Sequence, residues 1–436
     1  MADYIVKENK MLDEKHYSFK HKSGLMVNVF PKGLTTSYAI FATRYGSIDN
    51  KFKLDTDEDF TVVPDGIAHF LEHKLFENAD GQDAFELFAK TGASANAYTS
   101  NIMTGYLFSC TEQFYESLEI LLDFVTHPYF TEKTIQKEQG IIAQEIKMYD
   151  DNPGARMHKE LMMALYEKNK IRIDIAGTVE TIGEITPDIL YKCYNTFYNL
   201  NNMVLSVCGD VDVKRVEEVC DKVLKTSENI NVIRDSEEEP SAVCKKRAYC
   251  SLNIAKPIFE IGVKNNNIPC DPVERLKMSF ALDILGVMLF SQSSSFYNEL
   301  YEENLISQDL SHGGELTKHY SFFVISSESS EAEAVYSRFV EYVDDAKKTG
   351  LDKEVFELSK KTIYSSIIKS FDSTEDIANS YAFNYFEGVD ILDGPEIIES
   401  IDIEYVTKLL HEIFCEEYYA MSVVNPIGGE NARTRE

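Results

Sequence analysis

Two segments of this chain echo each other, and that echo limits the folds open to it more than any other feature. The first, "TVETIGEITPDILYKCYNTFYNLNNMVLSVCGDVD", spans 178–212, and the second, "PEIIESIDIEYVTKLLHEIFCEEYYAMSVVNPIG", spans 395–428. Each runs from an isoleucine-rich lead into a stretch of helical period and then into a strand, "MVLSVCG" or "AMSVVNP". Aligning the strands sets Met203 opposite Met421, 218 positions on. Near that offset "YAIFATRYGS" (38–47) falls opposite "PIFEIGVKNN" (257–266). The chain therefore reads as two related halves, 1–225 and 251–436, joined by a polar linker over 226–250.

The halves differ in one respect. Residues 66–81, "GIAHFLEHKLFENADG", hold two of the nine histidines with Glu72 between them. The equivalent stretch of the second half, "LDILGVML" (282–289), has no histidine. Chemistry belongs to the first half, and the second supplies shape.

Asp65, after Pro64, reads as an N-cap, and no breaker interrupts the residues that follow, so a helix is expected from about 66. On it His69 and His73 stand four apart, one turn, on one face. Two imidazoles so placed can reach one zinc ion at about 2.0–2.1 Å each. Glu72 sits beside them, where a carboxylate can take the proton of a metal-bound water. A partly buried helix with two satisfied histidines is the bland alternative, and the ordered set HxxEH weighs against it.

A catalytic zinc site wants a third protein ligand and leaves the fourth position to water. The segment "TIQKEQGIIAQEIKMYDDNP" (134–153) offers Glu138 and Glu145, seven apart, on a face expected to include Ile141, Ile142, Met148 and Tyr149. Carboxylates on an apolar stripe are costly unless paired or bound to a cation. Glu145 is thus a candidate ligand and Glu138 a supporting carboxylate, although acidic residues also edge such stripes for no chemical reason.

The formal charge of −30 argues against nucleic acid as a partner, because a phosphate-binding surface needs clustered Lys and Arg. The longest apolar run, 280–290, is too short to cross a membrane and carries Asp283, and the N-terminal residues lack a signal-peptide core. Eight cysteines without a CxxC pair fit reduced thiols and a cytoplasmic protein.

"HFLEH", followed about seventy residues later by "EQGIIAQE", resembles the inverzincin peptidases of the pitrilysin and mitochondrial-processing-peptidase family (M16), in particular its YmfH-type bacterial subfamily. "GASANAYTSNIMTGYLFSC" (92–110), "MYDDNPGARM" (148–157), "IAGTVETI" (175–182) and "NMVLSVCGDVD" (202–212) resemble family landmarks in the expected order. The resemblance implies an α+β fold of two homologous domains, each a mostly antiparallel sheet packed with helices. It also implies His69, His73 and Glu145 as ligands of one zinc ion, Glu72 as general base and Glu138 as the carboxylate behind the ligands. "ASANAYTS" resembles the family's edge strand, which implies substrate contacts at Ala95, Asn96 and Ala97. Two such chains, alike or different, would close around a peptide.

One departure concerns "SSSFYNELYEENLISQDLS" (293–311), where Tyr301 and a serine near 307 replace an Arg and a Tyr that many members use to hold substrate. Tyr297 and Tyr301, or a partner chain, would take over that role. Two functions remain open: a zinc endopeptidase acting on peptides or unfolded segments, and a catalytically weak binding subunit serving as half of a heterodimer. A metal-dependent hydrolase of non-peptide substrates is the third and least favoured.

Overall fold

The computed structural model describes residues 3–428 except 78–80, 82, 236 and 308. They form two compact units, one within 3–146, 174–235 and 368–393, the other within 147–173, 237–367 and 394–428.

The first unit is built on a seven-stranded sheet in the spatial order β1 (Ile5–Asn9), β2 (Glu14–Lys20), β3 (Met26–Pro31), β9 (Met203–Gly209), β4 (Ser37–Thr43), β8 (Thr104–Cys110) and β7 (Ser94–Thr99). A ribbon of β5 (Lys51–Leu54), β6 (Thr61–Val62) and β10 (Val232–Arg234) lies in the same unit. The second unit has a five-stranded sheet in the order β11 (Arg247–Leu252), β15 (Tyr419–Pro426), β12 (Ile258–Lys264), β14 (Ser321–Glu328) and β13 (Ser311–Leu316).

The repeat is written in these sheets. In the first, β9 runs parallel to β3 and antiparallel to β4; in the second, β15 runs parallel to β11 and antiparallel to β12. Thr43 pairs with Met203 and Ile261 with Met421, so both strands of the central pair repeat at the same 218-residue spacing. The fold is α+β, with two homologous domains of mostly antiparallel sheet.

The stretch expected as a linker is not structureless. It contributes β10, antiparallel to β5, and the start of β11. Within it, β-prone residues such as Val232, Ile233 and Tyr249 are enough for a strand at a sheet edge.

Every residue of β4 and β9 is buried, as are the first seven of β15. A strand apolar on both sides needs cover on both faces. One face of the first sheet meets the main core, where Phe41, Leu205 and Val207 join Phe70 and Leu71 of the histidine-bearing helix. The other face is covered by the helix Thr374–Glu387 through residues such as Ala378 and Ala382. In the second unit the corresponding cover over β12 and β15 is the helix Pro153–Leu165. Each sheet is thus closed by a helix drawn from the opposite half of the sequence.

Leu161 and Leu165 of that helix lie so close over β12 that a Cβ at Gly262 would come within 2.9–3.0 Å of their methyl groups. Leu161→Ala is expected to cost about 2–5 kcal/mol, the range for emptying a fully packed leucine site. Denaturant unfolding reads this directly, and a change under 1 kcal/mol would mean the helix packs loosely.

Candidate metal centre

The helix carrying the histidines spans Ile67–Leu75. Its cap is not Asp65, as the sequence suggests, but Gly66, at φ 89° and with no side-chain cap. Asp65 instead accepts a hydrogen bond from Asn50. The reason is a backbone contact: a Cβ on Gly66 would lie 2.3 Å from the carbonyl oxygen of Ala176, and one on Gly177 would lie 2.4 Å from that of Asp65. Only glycine at both positions lets the two loops meet, and this junction sets where the helix starts.

From there His69 and His73 project together, ring centroids 4.6 Å apart. The acidic helix, Glu132–Asp150, lies beside them and brings Glu138 and Glu145 to the imidazoles. Its core-facing residues are Ile135, Ile142 and Ile146. Ile141, Met148 and Tyr149, expected on that buried face, are instead 45%, 60% and 44% exposed. The buried stripe is narrower than the sequence suggests; Glu138 is itself buried on it, and Glu145 stands partly exposed beside it. Gln139 anchors the helix by reaching the carbonyl oxygens of Ile182, Gly183 and Ile185.

Glu145 Oε1 lies 3.7 Å from His69 Nε2, and its Oε2 lies 3.4 Å from His73 Nε2. Those separations are too long for good hydrogen bonds. They suit ligands of a tetrahedral zinc ion, whose donor atoms at about 2.0–2.1 Å from the metal stand roughly 3.3 Å from one another. Among the described residues, His69, His73 and Glu145 form a group able to hold a metal ion, with donor atoms all within 4.8 Å of one another. Two neutral imidazoles and a carboxylate are the donors zinc prefers, so the residues present fit the ion.

The electrostatics of His69 agree. Burial, then repulsion from His73, pushes the His69 pKa down to about 3, which leaves its ring neutral with a lone pair to offer. Burial also opposes charge on His73, but its hydrogen bond to Glu138 and the nearby Glu72 and Glu145 carboxylates outweigh that and raise its pKa. Glu138 Oε1 sits 3.0 Å from His73 Nδ1. Burial pushes the Glu138 pKa up, yet the bond from His73 wins and lowers it. Glu138 therefore orients His73 and leaves Nε2 facing Glu145.

Glu72 is 8% exposed, and burial raises its pKa, which makes it a better proton acceptor. It accepts a hydrogen bond from Thr99 Oγ1 at 2.6 Å, and this opposes the rise. Nothing in the sequence singled out Thr99, a threonine at a strand end.

Ala95, Asn96 and Ala97 lie on β7, at the outer edge of the sheet, with β8 as their one strand neighbour among the described residues. The backbone N–H of Ala97 donates to the Asn96 side chain at 2.9 Å. Tyr297 and Tyr301 belong to the second unit, on the helix Ser295–Glu302. Their rings stack at 6.0 Å, and Tyr301 is 55% exposed. Ser307 donates to Glu328 at 3.3 Å.

Known proteins resemble this chain in sequence and fold. Residues 63–179 match the family model "Insulinase (Peptidase family M16)", and 184–363 match "Peptidase M16 inactive domain". The chain is 39% identical to the "uncharacterized zinc protease YmfH" of Bacillus subtilis, over 96% of this chain and 98% of that one. It belongs to peptidase family M16. A crystal structure of an M16-like peptidase from Alicyclobacillus acidocaldarius superposes with a TM-score of 0.91 at 31% identity, covering 96% of this chain and 99% of the other. A more distant M16 relative is the mitochondrial-processing peptidase subunit beta of Caenorhabditis elegans, 30% identical over 36% of this chain and 35% of that protein. Relatives named as zinc proteases support a peptidase-type function for this M16 chain. No described helix is long and apolar enough to cross a membrane.

Proposed function

We propose that this chain is a zinc-dependent endopeptidase that hydrolyses peptides or unfolded polypeptide segments. The observation that carries the reading is the convergence of His69, His73 and Glu145 on one point, with Glu72 on the same helix as the two histidines. Zinc, when bound, supplies a Lewis acid that polarises the scissile carbonyl and makes water acidic enough to lose a proton near neutral pH.

His69 and His73 would hold the ion through Nε2 and Glu145 through its carboxylate, while Glu138 keeps His73 in orientation. Glu72 takes the proton of the attacking water and returns it to the leaving amine. The open edge of β7 takes the peptide backbone as an added strand at Ala95, Asn96 and Ala97. Tyr297 and Tyr301 offer the substrate broad ring contact and a hydroxyl at modest entropic cost. The active assembly pairs this chain with a second M16-type chain, a homodimer or a heterodimer, and works in the cytoplasm, where thiols stay reduced.

A second reading, a binding subunit of low turnover, draws on Tyr301 in place of a basic residue and, weakly, on the "inactive domain" model matched over 184–363. Metal analysis together with turnover of a mixed peptide library separates the two. The expected result is one zinc per chain and cleavage that a chelator abolishes. A zinc-loaded chain that cleaves nothing, alone or with its partner, would favour the binding subunit.

A further inference from the structure

We infer that Thr99 is a positioning residue that ties the strand proposed to carry substrate to the base that acts on it. The inference rests on the peptidase reading above. Thr99 closes β7, pairing with Thr104 of β8 across the hairpin. Its hydroxyl donates to Glu72 Oε2 at 2.6 Å. A hydroxyl has one proton to give, and the neighbouring Thr104 spends its own on the carbonyl oxygen of Tyr45 at 2.9 Å. Thr104 Oγ1 stands 3.4 Å from Thr99 Oγ1 and is fully buried, so it is held by Tyr45 and leaves the Thr99 proton committed to Glu72.

Two consequences follow for the base. Oε2 of Glu72 is occupied by Thr99, so Oε1, which makes no hydrogen bond among the described residues, is the atom left to accept a proton. The carboxylate is also held in one orientation relative to β7. A peptide added to that edge is therefore placed in register with its base by the same strand, through one side-chain bond. Orientation of this kind matters because a displacement of about 1 Å in a catalytic group can cost on the order of 10²-fold in rate.

The test is Thr99→Val, which keeps the shape and removes the hydroxyl, with Thr99→Ser as the variant that restores it. In the zinc-loaded chain, Thr99→Val should lower kcat by about 10- to 100-fold while KM, bound zinc and Tm stay near wild type. Thr99→Ser should recover most of the loss. In a Glu72→Gln background the valine should add nothing, because its effect passes through Glu72. A kcat within twofold of wild type, or a loss that multiplies with Glu72→Gln, overturns the assignment.

Crystal structures of the metal-free proteins give a readout independent of activity. Glu72 should take one rotamer, bonded to Thr99, in wild type and several in Thr99→Val. A single unchanged rotamer in the valine variant overturns the inference even if no peptide is ever cleaved. Absence of turnover in the wild type, by contrast, would count against the peptidase reading and leave the rotamer comparison to decide on Thr99.

Discussion

Replacing Glu72 with Gln is expected to lower peptide turnover by about 10²- to 10⁴-fold, the range that general acid–base catalysis contributes, with zinc still bound. The substitution is nearly isosteric, and the amide oxygen of Gln can still accept the hydrogen bond from Thr99, so the buried helix has no reason to move. What disappears is a carboxylate whose burial makes it a stronger proton acceptor than a solvated one. Zinc should be retained because the group able to hold the metal consists of His69, His73 and Glu145, without Glu72. Parallel metal analysis and peptide assays check both halves of the expectation. Turnover near wild type would remove Glu72 from the chemistry.

Glu145→Gln should act in the opposite way, on the metal first. It exchanges an anionic ligand for a neutral amide between two imidazoles, and the loss in zinc affinity should exceed the 10- to 100-fold typical of residues behind the ligands. Glu138→Gln should fall within that smaller range, since it weakens the hold on His73 Nδ1 and leaves the donor atoms in place. Chelator competition at fixed pH ranks the three proteins. Equal zinc retention in both variants would show that the acidic helix does not supply a ligand.

The histidine pair was legible because everything it needs is local. Four residues of separation on one helix place two imidazoles together whatever the rest of the chain does. Glu145 was legible for a weaker reason, the cost of leaving a carboxylate on an apolar stripe. That argument pointed to the helix that the structure sets beside the imidazoles, while enrolling Ile141, Met148 and Tyr149, which face solvent. Periodicity describes a helix's own faces and cannot say how wide a strip its neighbours will cover. The cap at Asp65 failed for a related reason. A local preference for Asp was overruled by the contact between Gly66 and Ala176, residues 110 positions apart in sequence.

By itself, the sequence determined the repeated strands, the helix that carries His69, Glu72 and His73, and the lack of any histidine in the equivalent stretch 282–289 of the second half. These depend on hydrophobic period, residue type and short spacing, which act over one or two turns or along one strand. The tertiary structure alone decided which helix closes which sheet. Nothing in the period of 153–165 or 374–387 announces that each would cover the sheet of the opposite half. Strands buried on both faces demand some cover, but the choice among amphipathic helices is made by shape, such as the fit of Leu161 and Leu165 over Gly262. The bond from Thr99 to Glu72 is of the same kind, because a hydroxyl 27 residues away becomes a partner only when β7 and the helix are packed side by side.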